Sequence, residues 1–270
     1  MELVGAGERY TALLFLPAAV RPFAAAIYAF DDEINKIAQL ASEPMPGEIR
    51  LQWWREIVGG ERSGEGQANP LAKALLETIA THALPEQVFL RYLDAKAFDL
   101  YNDPMPDVVS LEAYLGETES FIFQMIGALC DGARHGAPSR LLADACGHCG
   151  VAYGIARLLQ MMPYHTARRQ VYVPGELLAA AGLDAAGWLN GENSDVVLTG
   201  MIALGREHLA KAKVAVKLLP MQMHCAFLPL ALVGPVLKSA GRRTNGLKRL
   251  IEISPLKKQW AVWQAAVFGF

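Results

Sequence analysis

The chain has 270 residues, of which 53% are apolar and 19% are charged, and its formal net charge at pH 7 is −2. This composition excludes a disordered chain and predicts either a large buried core or an apolar face that meets a membrane or a partner. Four cysteines in a chain of this length do not indicate a disulfide framework and fit a reduced compartment.

The predicted elements are all helices. From residue 20 to residue 40, apolar side chains recur at steps of three and four and form one continuous stripe: Phe23, Ile27, Phe30, Ile34 and Ile37. Similar patterns predict a helix from Pro46 to Gly59, one at 71–82 with Asn69 as its N-cap, and others at 85–102, 110–131, 138–162, 195–217, 221–240 and after Pro255. Residues 170–173 are predicted to be a loop or a single turn. With neither an internal repeat nor a linker, the sequence predicts one all-α domain over residues 1–270.

Charge is distributed unevenly along the chain. Residues 201–270 carry a net charge of +9, so residues 1–200 carry −11. The basic end of the chain could contact anionic lipid or an acidic partner. The favoured explanation is that its charges lie on helix faces exposed to solvent. Nucleic acid is not an expected partner, because no basic and aromatic motif accompanies the charge.

The chain shows no signal or transit peptide pattern and no uninterrupted apolar run of about 18 residues, so we expect a cytoplasmic protein without a transmembrane helix.

Cys146-Gly-His-Cys149 has the letters of a thiol–disulfide exchange site. Such sites need a helix N-terminus that follows a strand, whereas these residues lie inside a predicted helix. The favoured explanation is a set of small residues that lets two helices approach closely, and a redox role is the alternative. A metal site at Cys146, His148 and Cys149 lacks a fourth ligand.

The end of the chain combines four aromatic residues with two lysines: Trp260, Trp263, Phe268, Phe270, Lys257 and Lys258. Either these aromatic side chains dock onto the helical bundle, which is the favoured alternative, or the segment lies on an anionic membrane surface.

Several short motifs follow one another in an order and at spacings that resemble the squalene/phytoene synthase family over nearly the whole chain. The motifs are Leu16-Pro17, Arg21, Tyr28-Ala29-Phe30, Trp54-Arg55-Glu56, Asn69-Pro70, Asp99-Leu100, Tyr114 and Val171-Tyr172-Val173-Pro174. The resemblance implies a single isoprenoid-synthase-type helical bundle around a central apolar cavity. Members of that family join two prenyl diphosphates head to head.

The chemistry of that family requires Mg²⁺ held by Asp-x-x-x-Asp motifs on two facing helices, because a four-residue step returns a carboxylate to the same helix face. The resemblance places these positions on non-acidic side chains: Asn35, Lys36 and Gln39 in the first motif, and Met161 and His165 in the second. Such groups do not hold Mg²⁺ against a diphosphate. We therefore expect no catalytic residue, no metal and no cofactor, and Mg²⁺ would be needed only if the chain were an active synthase.

Asp31, Asp32 and Glu33 are the acids nearest to the first motif. Three consecutive positions fan over roughly 200° of a helix, so their carboxylates cannot aim at one cation. An exposed acidic turn with an Asp32–Lys36 pair is the favoured explanation, and a shifted metal site is the alternative.

The resemblance also implies which side chains line the cavity or bind a ligand: Tyr10, Arg21, Tyr28, Asp31, Asp32, Arg157, Gln160, His165, Arg168 and Arg169. With Lys36, the basic ones either form a pocket for an anionic ligand or are surface charges around the loop 164–170. Arg157 lies in an apolar run where a lone cation needs a partner, and we expect Asp31 or Asp32 to be that partner across the cavity.

One branch of the family, that of the mitochondrial complex I assembly factor six and its bacterial relatives, lacks the same aspartates. Two stretches here resemble that branch: residues 42–54, which begin with Ser42-Glu43, and residues 163–169, Pro-Tyr-His-Thr-Ala-Arg-Arg. The resemblance implies a non-catalytic protein that assists assembly of the respiratory NADH dehydrogenase, peripheral at the inner membrane. Its candidate partners are complex I subunits or an anionic membrane surface, and its candidate ligand is a lipid or prenyl chain. The alternative is an active prenyltransferase that acts on farnesyl or geranylgeranyl diphosphate.

Overall fold

A computed structural model of the protein describes residues 6–41, 43–132, 139–242 and 250–270. Ser42, which begins the first of the two branch-like stretches, lies outside the described residues. Within the described ranges all regular structure is helical, which confirms the predicted all-α fold class. The α-helices are α1 (Ala6–Leu13), α2 (Arg21–Leu40), α3 (Pro44–Val58), α4 (Ser63–Ala68), α5 (Pro70–His82), α6 (Glu86–Lys96), α7 (Val108–Glu117), α8 (Glu119–Asp131), α9 (Arg140–Ala167), α10 (Gly175–Ala180), α11 (Ala185–Asn190), α12 (Ser194–Lys217), α13 (Val233–Ala240) and α14 (Pro255–Phe268). Two 3₁₀-helices span Ala97–Leu100 and Met221–Leu232.

Most helices begin and end close to their predicted positions, because local signals mark their ends. The Asn69 side chain caps α5, as predicted, by accepting hydrogen bonds from the backbone N–H groups of Leu71 at 3.0 Å and Ala72 at 3.1 Å. Residues 170–173 form a loop, also as predicted. Helices α1, α4, α10 and α11 have no counterpart among the predicted elements. They have six to eight residues each and are too short to show an apolar stripe.

Three of the predicted helices are divided, so the prediction of one continuous α-helix is wrong at each of them. The predicted helix 85–102 ends as α6 at Lys96 and continues as the 3₁₀-helix Ala97–Leu100. The predicted helix 110–131 breaks at Thr118 into α7 and α8, and the Thr118 hydroxyl donates to the Tyr114 carbonyl at 2.7 Å. The predicted helix 221–240 begins as a 3₁₀-helix. Pro229 lies inside this segment and lacks the N–H group that a regular α-helix requires.

Helix α9 lies at the centre of the bundle and packs against α8 and α12. Where α8 and α9 meet, Gly150 lies directly against the backbone of Ser120 and leaves no room for a Cβ atom. Cys146 and Cys149 are buried on the same helix, and burial raises the pKa of both thiols. This close contact of α8 and α9 is made by Gly150, just after the motif, whereas a Cβ on Gly147 within the motif would meet nothing within 4 Å. Buried thiols of raised pKa do not suit thiolate chemistry.

The stretch Met221–Ala240 is long and apolar enough to cross a membrane by length and composition. It packs against α8, α9 and α14, and 61% of its most apolar window is buried within the bundle. Phe227 and Leu230, for example, are almost completely buried. In this fold the stretch contributes to the core.

Candidate functional site

A cavity of about 90 Å³ lies between α2, α7, α9 and the loop that follows α9. Its walls bring together four positions that correspond to aspartates in the family motifs: Asn35 and Gln39 on α2, and Met161 and His165 on α9. The four-residue step places each pair on one face of its helix. The structure thus places both motifs at one cavity, without a carboxylate at any of these four positions.

Four charged side chains form a largely buried network beside this cavity. Arg9 of α1 pairs with Asp31 of α2 and donates to Glu119 at 2.8 Å. The second carboxylate oxygen of Glu119 accepts a hydrogen bond from Arg157 of α9 at 2.6 Å, and the Tyr92 hydroxyl donates to Asp31 at 2.6 Å. We call these residues the Glu119 network. Its two guanidinium groups and two carboxylates compensate one another and join four helices.

A second buried cluster surrounds Asp99, on the 3₁₀-helix that follows α6. Lys96 forms an ion pair with one carboxylate oxygen, and the hydroxyls of Tyr114 and Tyr172 donate to the other at 2.6 Å and 2.7 Å. The Gln170 side chain donates to the backbone carbonyl of Asp99 at 2.8 Å. The Asp99 carboxylate is therefore compensated in charge and occupied by donors within the protein.

The protonation states at the site follow from these contacts. Burial opposes ionisation of Asp31, but the nearby cations Arg9, Arg157 and Lys96, together with the hydrogen bond from Tyr92, outweigh it and lower the pKa of Asp31. Burial of Asp99 is likewise outweighed by the Lys96 ammonium and the hydrogen bonds from Tyr114 and Tyr172, which together lower the pKa of Asp99. Burial of His165 lowers its pKa to about 4. At neutral pH the site thus holds ionised, paired carboxylates and a neutral imidazole.

We expect the protein to lose stability as the pH falls from about 6.5 to about 4, and we expect His165 to contribute to this loss. Because the folded-state pKa of His165 lies below the ordinary 6.5, the unfolded chain binds a proton that the folded chain excludes. The free energy of unfolding should therefore fall by about 1–3 kcal/mol across this window. Asp31 and Asp99, whose folded-state pKa values are lowered, lose their contribution only below about pH 4.

Urea unfolding at a series of pH values measures this effect. The His165→Gln variant should show a weaker pH dependence than the unmodified protein between pH 6.5 and 4. A His224→Gln variant is the control, because the His224 side chain lies against the Leu219 carbonyl, away from the cavity. If the two variants show the same pH dependence as the unmodified protein, His165 does not have the expected role.

Several predicted cavity residues do lie at the site. Arg157, His165 and Arg168 line the cavity, and Tyr28 lines a smaller one beside Arg9. Arg168 donates to the backbone carbonyls at the end of α2, among them that of Ala38 at 2.8 Å. Its guanidinium group therefore stabilises the C-terminus of α2 and is not a free ligand for an anion.

Gln160 is buried on α9, 3% exposed. Its side-chain nitrogen has no hydrogen-bond partner among the described residues. It does not line the 90 Å³ cavity.

Like Gln160, the predicted residues Asp31 and Asp32 do not line the cavity. Three further predicted residues lie on the surface away from it, and the prediction is wrong for them. Tyr10 is 45% exposed on α1. Arg21 is exposed and donates to the carbonyls of Leu14 and Leu16, because it closes the turn between α1 and α2. Arg169 is exposed with a φ of 58°, in the turn that ends α9.

The acidic turn on α2 is only partly exposed. Asp31 points inward to Arg9 and is 3% exposed, so the prediction of an exposed turn is wrong at this residue. Lys36 is exposed and pairs with Glu33 at 3.9 Å, so the predicted Asp32–Lys36 pair is also wrong. Asp32 is half-buried, and burial raises its pKa.

Among the described residues, no group of three His, Cys, Asp or Glu side chains is arranged to hold a metal ion.

Arg157 has a carboxylate partner, as expected, but the expected identity of that partner is wrong. Glu119 at the start of α8 pairs with Arg157, and Asp31 belongs to the same network only through Arg9. The geometric reason is that Arg9 of α1 stands between α2 and α8. Sequence motifs pointed to Asp99 and Tyr114, whereas Arg9 and Glu119 belong to no motif.

The side chains at the cavity do not fit Mg²⁺ or a prenyl diphosphate. The carboxylates in its wall, Asp99 and Glu119, are each paired with a cation. The volume of about 90 Å³ is well below the roughly 300 Å³ at which sites for drug-sized ligands begin. The smaller cavity lined by Tyr28, Phe123 and Tyr153 has about 10 Å³, which is room for about one water molecule. The predicted central apolar cavity is thus small and partly polar.

The fold and the cavity can be compared with known proteins. The family model for squalene/phytoene synthase matches residues 5–257. The protein named NADH dehydrogenase (ubiquinone) complex I, assembly factor 6, of Rattus norvegicus is 26% identical over 242 residues, which cover 87% of this chain and 70% of the relative. The protein of the same name from Homo sapiens is 25% identical over 238 residues, with the same coverage.

Solved structures share the fold at low sequence identity. Squalene synthase HpnC from Alicyclobacillus acidocaldarius superposes with a TM-score of 0.73 at 19% identity, covering 87% of this chain and 88% of that one. A dehydrosqualene synthase in complex with a ligand gives a TM-score of 0.77 at 13% identity, covering 96% of this chain and 90% of that one. At these identities the likeness shows the fold and leaves the activity open.

Proposed function

The chain belongs to the squalene/phytoene synthase family, and we propose that it is a non-catalytic member that assists assembly of the respiratory NADH dehydrogenase, complex I. The observation that carries the non-catalytic part is the cavity. Asn35, Gln39, Met161 and His165 meet there, and none of them is a carboxylate. The relatives named as complex I assembly factors, at 25–26% identity over most of the chain, support the assembly role.

Departure of a diphosphate needs a divalent cation to neutralise the leaving group, and Mg²⁺ needs anionic oxygen ligands that are free to bind it. At this cavity Arg157 and Lys96 take up the negative charge of Glu119 and Asp99. The Arg157–Glu119 pair also joins α9 to α8, and these occupied carboxylates support the proposal that the protein works without a metal.

The proposal includes a location and partners. Complex I subunits are the proposed protein partners, and the protein would act in the cytoplasm at the inner membrane. A lipid or prenyl ligand would require the cavity to open well beyond its volume of about 90 Å³.

Incubation with farnesyl or geranylgeranyl diphosphate and Mg²⁺ tests the absence of catalysis. We expect no release of diphosphate above that of a buffer control, because the cavity offers the metal no free carboxylate pair. Asp32→Asn is the informative variant, since Asp32 is half-buried and belongs to no ion pair of the Glu119 network. Turnover that disappears in this variant would establish the active prenyltransferase instead.

The assembly role is tested in cells from which the gene has been deleted. We expect less fully assembled NADH dehydrogenase in their membranes on native gels, and recovery on re-expression of the protein. An Asn35→Ala/Gln39→Ala variant should restore assembly equally well, because the proposal assigns no chemistry to the cavity. Normal assembly in the deletion strain would contradict the assembly role.

A further inference from the structure

Helix α14 packs onto the bundle through one narrow face. It contacts α1 and the 3₁₀-helix Met221–Leu232. Val262 is its buried residue and joins a small apolar cluster with Ala12, Leu228 and Leu232. Both ends of the helix and its remaining faces are exposed.

The opposite face of α14 carries an exposed apolar stripe. Leu256, Trp260, Trp263 and Val267 follow one another at steps of four, three and four residues, which places them within about 60° of one another around the helix. Their exposed fractions are 78%, 59%, 42% and 54%. The rings of Trp260 and Trp263 stack with centroids 5.0 Å apart. We call these four residues the outer stripe.

The outer stripe corrects the favoured interpretation of the C-terminal aromatic residues. Trp260, Trp263 and Phe268 do not dock onto the bundle but face outward. Phe270 alone among the four packs against the core. A helix that buries one face and exposes large aromatic side chains on the other has a surface left to cover.

The surroundings of the outer stripe are basic. Residues 254–270 contain two lysines and no acid. A groove of about 590 Å³ beside the start of α14 is lined by Lys238, Arg242 and Lys257, with Glu252 as its acidic residue. None of these three cations forms a salt bridge with another described residue.

We propose that the outer stripe docks on the surface of an anionic phospholipid bilayer, with Lys238, Arg242 and Lys257 on lipid phosphates. Tryptophan rings favour the level of the lipid headgroups, where one part of the ring is apolar and its N–H stays hydrated. Each lysine or arginine near an anionic leaflet adds to the attraction. A second copy of the chain fits less well, because it would bring two basic surfaces together. This surface lies apart from the cavity and does not depend on the proposed role in complex I assembly.

Vesicle flotation with the purified full chain tests the proposal. We expect the protein to float with vesicles that contain phosphatidylglycerol and not with vesicles of phosphatidylcholine alone. A Trp260→Gln/Trp263→Gln variant should lose at least about tenfold in apparent affinity. A Lys238→Gln/Arg242→Gln/Lys257→Gln variant should lose the dependence on anionic lipid, and added salt should weaken binding of the unmodified protein.

The matched control is an Ile49→Gln/Val109→Gln variant, which also removes two exposed apolar side chains, at 64% and 73% exposure, on α3 and α7. It should bind vesicles as the unmodified protein does. Equal loss in this control, full binding by the tryptophan variant, or no binding by the unmodified protein would each overturn the proposal. So would light scattering that shows a dimer converted to a monomer by the tryptophan substitutions, since the stripe would then contact a second copy.

Discussion

The Glu119→Gln variant should lose about 3–5 kcal/mol in free energy of unfolding, the cost of leaving a buried cation without its partner. Glu119 bonds both Arg9 and Arg157, and its side chain is 14% exposed. After the substitution, two largely buried guanidinium groups would share the single carboxylate of Asp31. Helices α1, α8 and α9 lose their common ion-pair centre at the same time, so the effect should exceed that of a single surface pair.

Glu117 offers a matched control two residues away. Its carboxylate pairs with Arg91 at 3.3 Å, but the side chains are 45% and 50% exposed. Exposed ion pairs contribute about 0–1 kcal/mol, so Glu117→Gln should be nearly neutral. Urea unfolding at neutral pH measures both variants. A loss below about 1 kcal/mol for Glu119→Gln would show that the Glu119 network is not a source of stability.

Sequence could predict the position of the site because local spacing determines it. Asn35 and Gln39, like Met161 and His165, are four residues apart on a continuous helix, so each pair must share a face. The order of the family-like motifs was enough to place both faces at one cavity, which the structure contains. What remained unpredicted depends on contacts between residues distant in the chain.

The Glu119 network is such a case, since Arg9 and Glu119 are 110 positions apart. The sequence does contain a weak signal for the burial of Glu119. Glu119 lies at helical spacing from Leu115, Ile122 and Ile126, on an apolar helix face where an unpaired carboxylate would cost free energy of folding. That stripe predicts a buried cation nearby but does not identify it. For Arg157 the sequence showed that the guanidinium group needs a carboxylate partner. It did not show whether that partner is Asp31 or Glu119, because this depends on the position of α1.

The outer stripe shows the same limit for surfaces. Leu256, Trp260, Trp263 and Val267 are spaced as a buried helix face would be, and periodicity alone favours docking onto the bundle. The structure instead buries the opposite side of α14, where Val262 fits the apolar cluster beside the 3₁₀-helix. Which of the two apolar faces of α14 is buried depends on the shape of the bundle surface that it packs against. The sequence of α14 alone does not contain this information.

Two glycines on α9 should respond to alanine in opposite directions. A Cβ on Gly150 would collide with the backbone nitrogen and Cα of Ser120, and backbone atoms cannot move aside as a flexible side chain can. Helices α8 and α9 would have to separate, so Gly150→Ala should cost about 3 kcal/mol in free energy of unfolding, toward the upper end of overpacking effects. Gly147 lies on the same helix, and a Cβ there would meet no side chain or neighbouring helix within 4 Å. Gly147→Ala should therefore gain about 0.5–1 kcal/mol from the better helix propensity of alanine.

Thermal and urea unfolding of the two variants measure both changes in stability. The result shows whether α8 and α9 make the close contact at Ser120 or pack more loosely. A loss at Gly150 together with a gain at Gly147 requires that α8 and α9 touch at Ser120, because propensity alone would raise the stability of both variants. Equal gains would mean that the helices lie further apart than the structure places them.

The position of α8 also sets the position of Glu119 at its first turn, so Gly150→Ala should weaken the ion pair with Arg157 as well. The stability losses of Gly150→Ala and Glu119→Gln should then sum to more than the loss measured in the double variant, since both act through the same contact of α8 and α9.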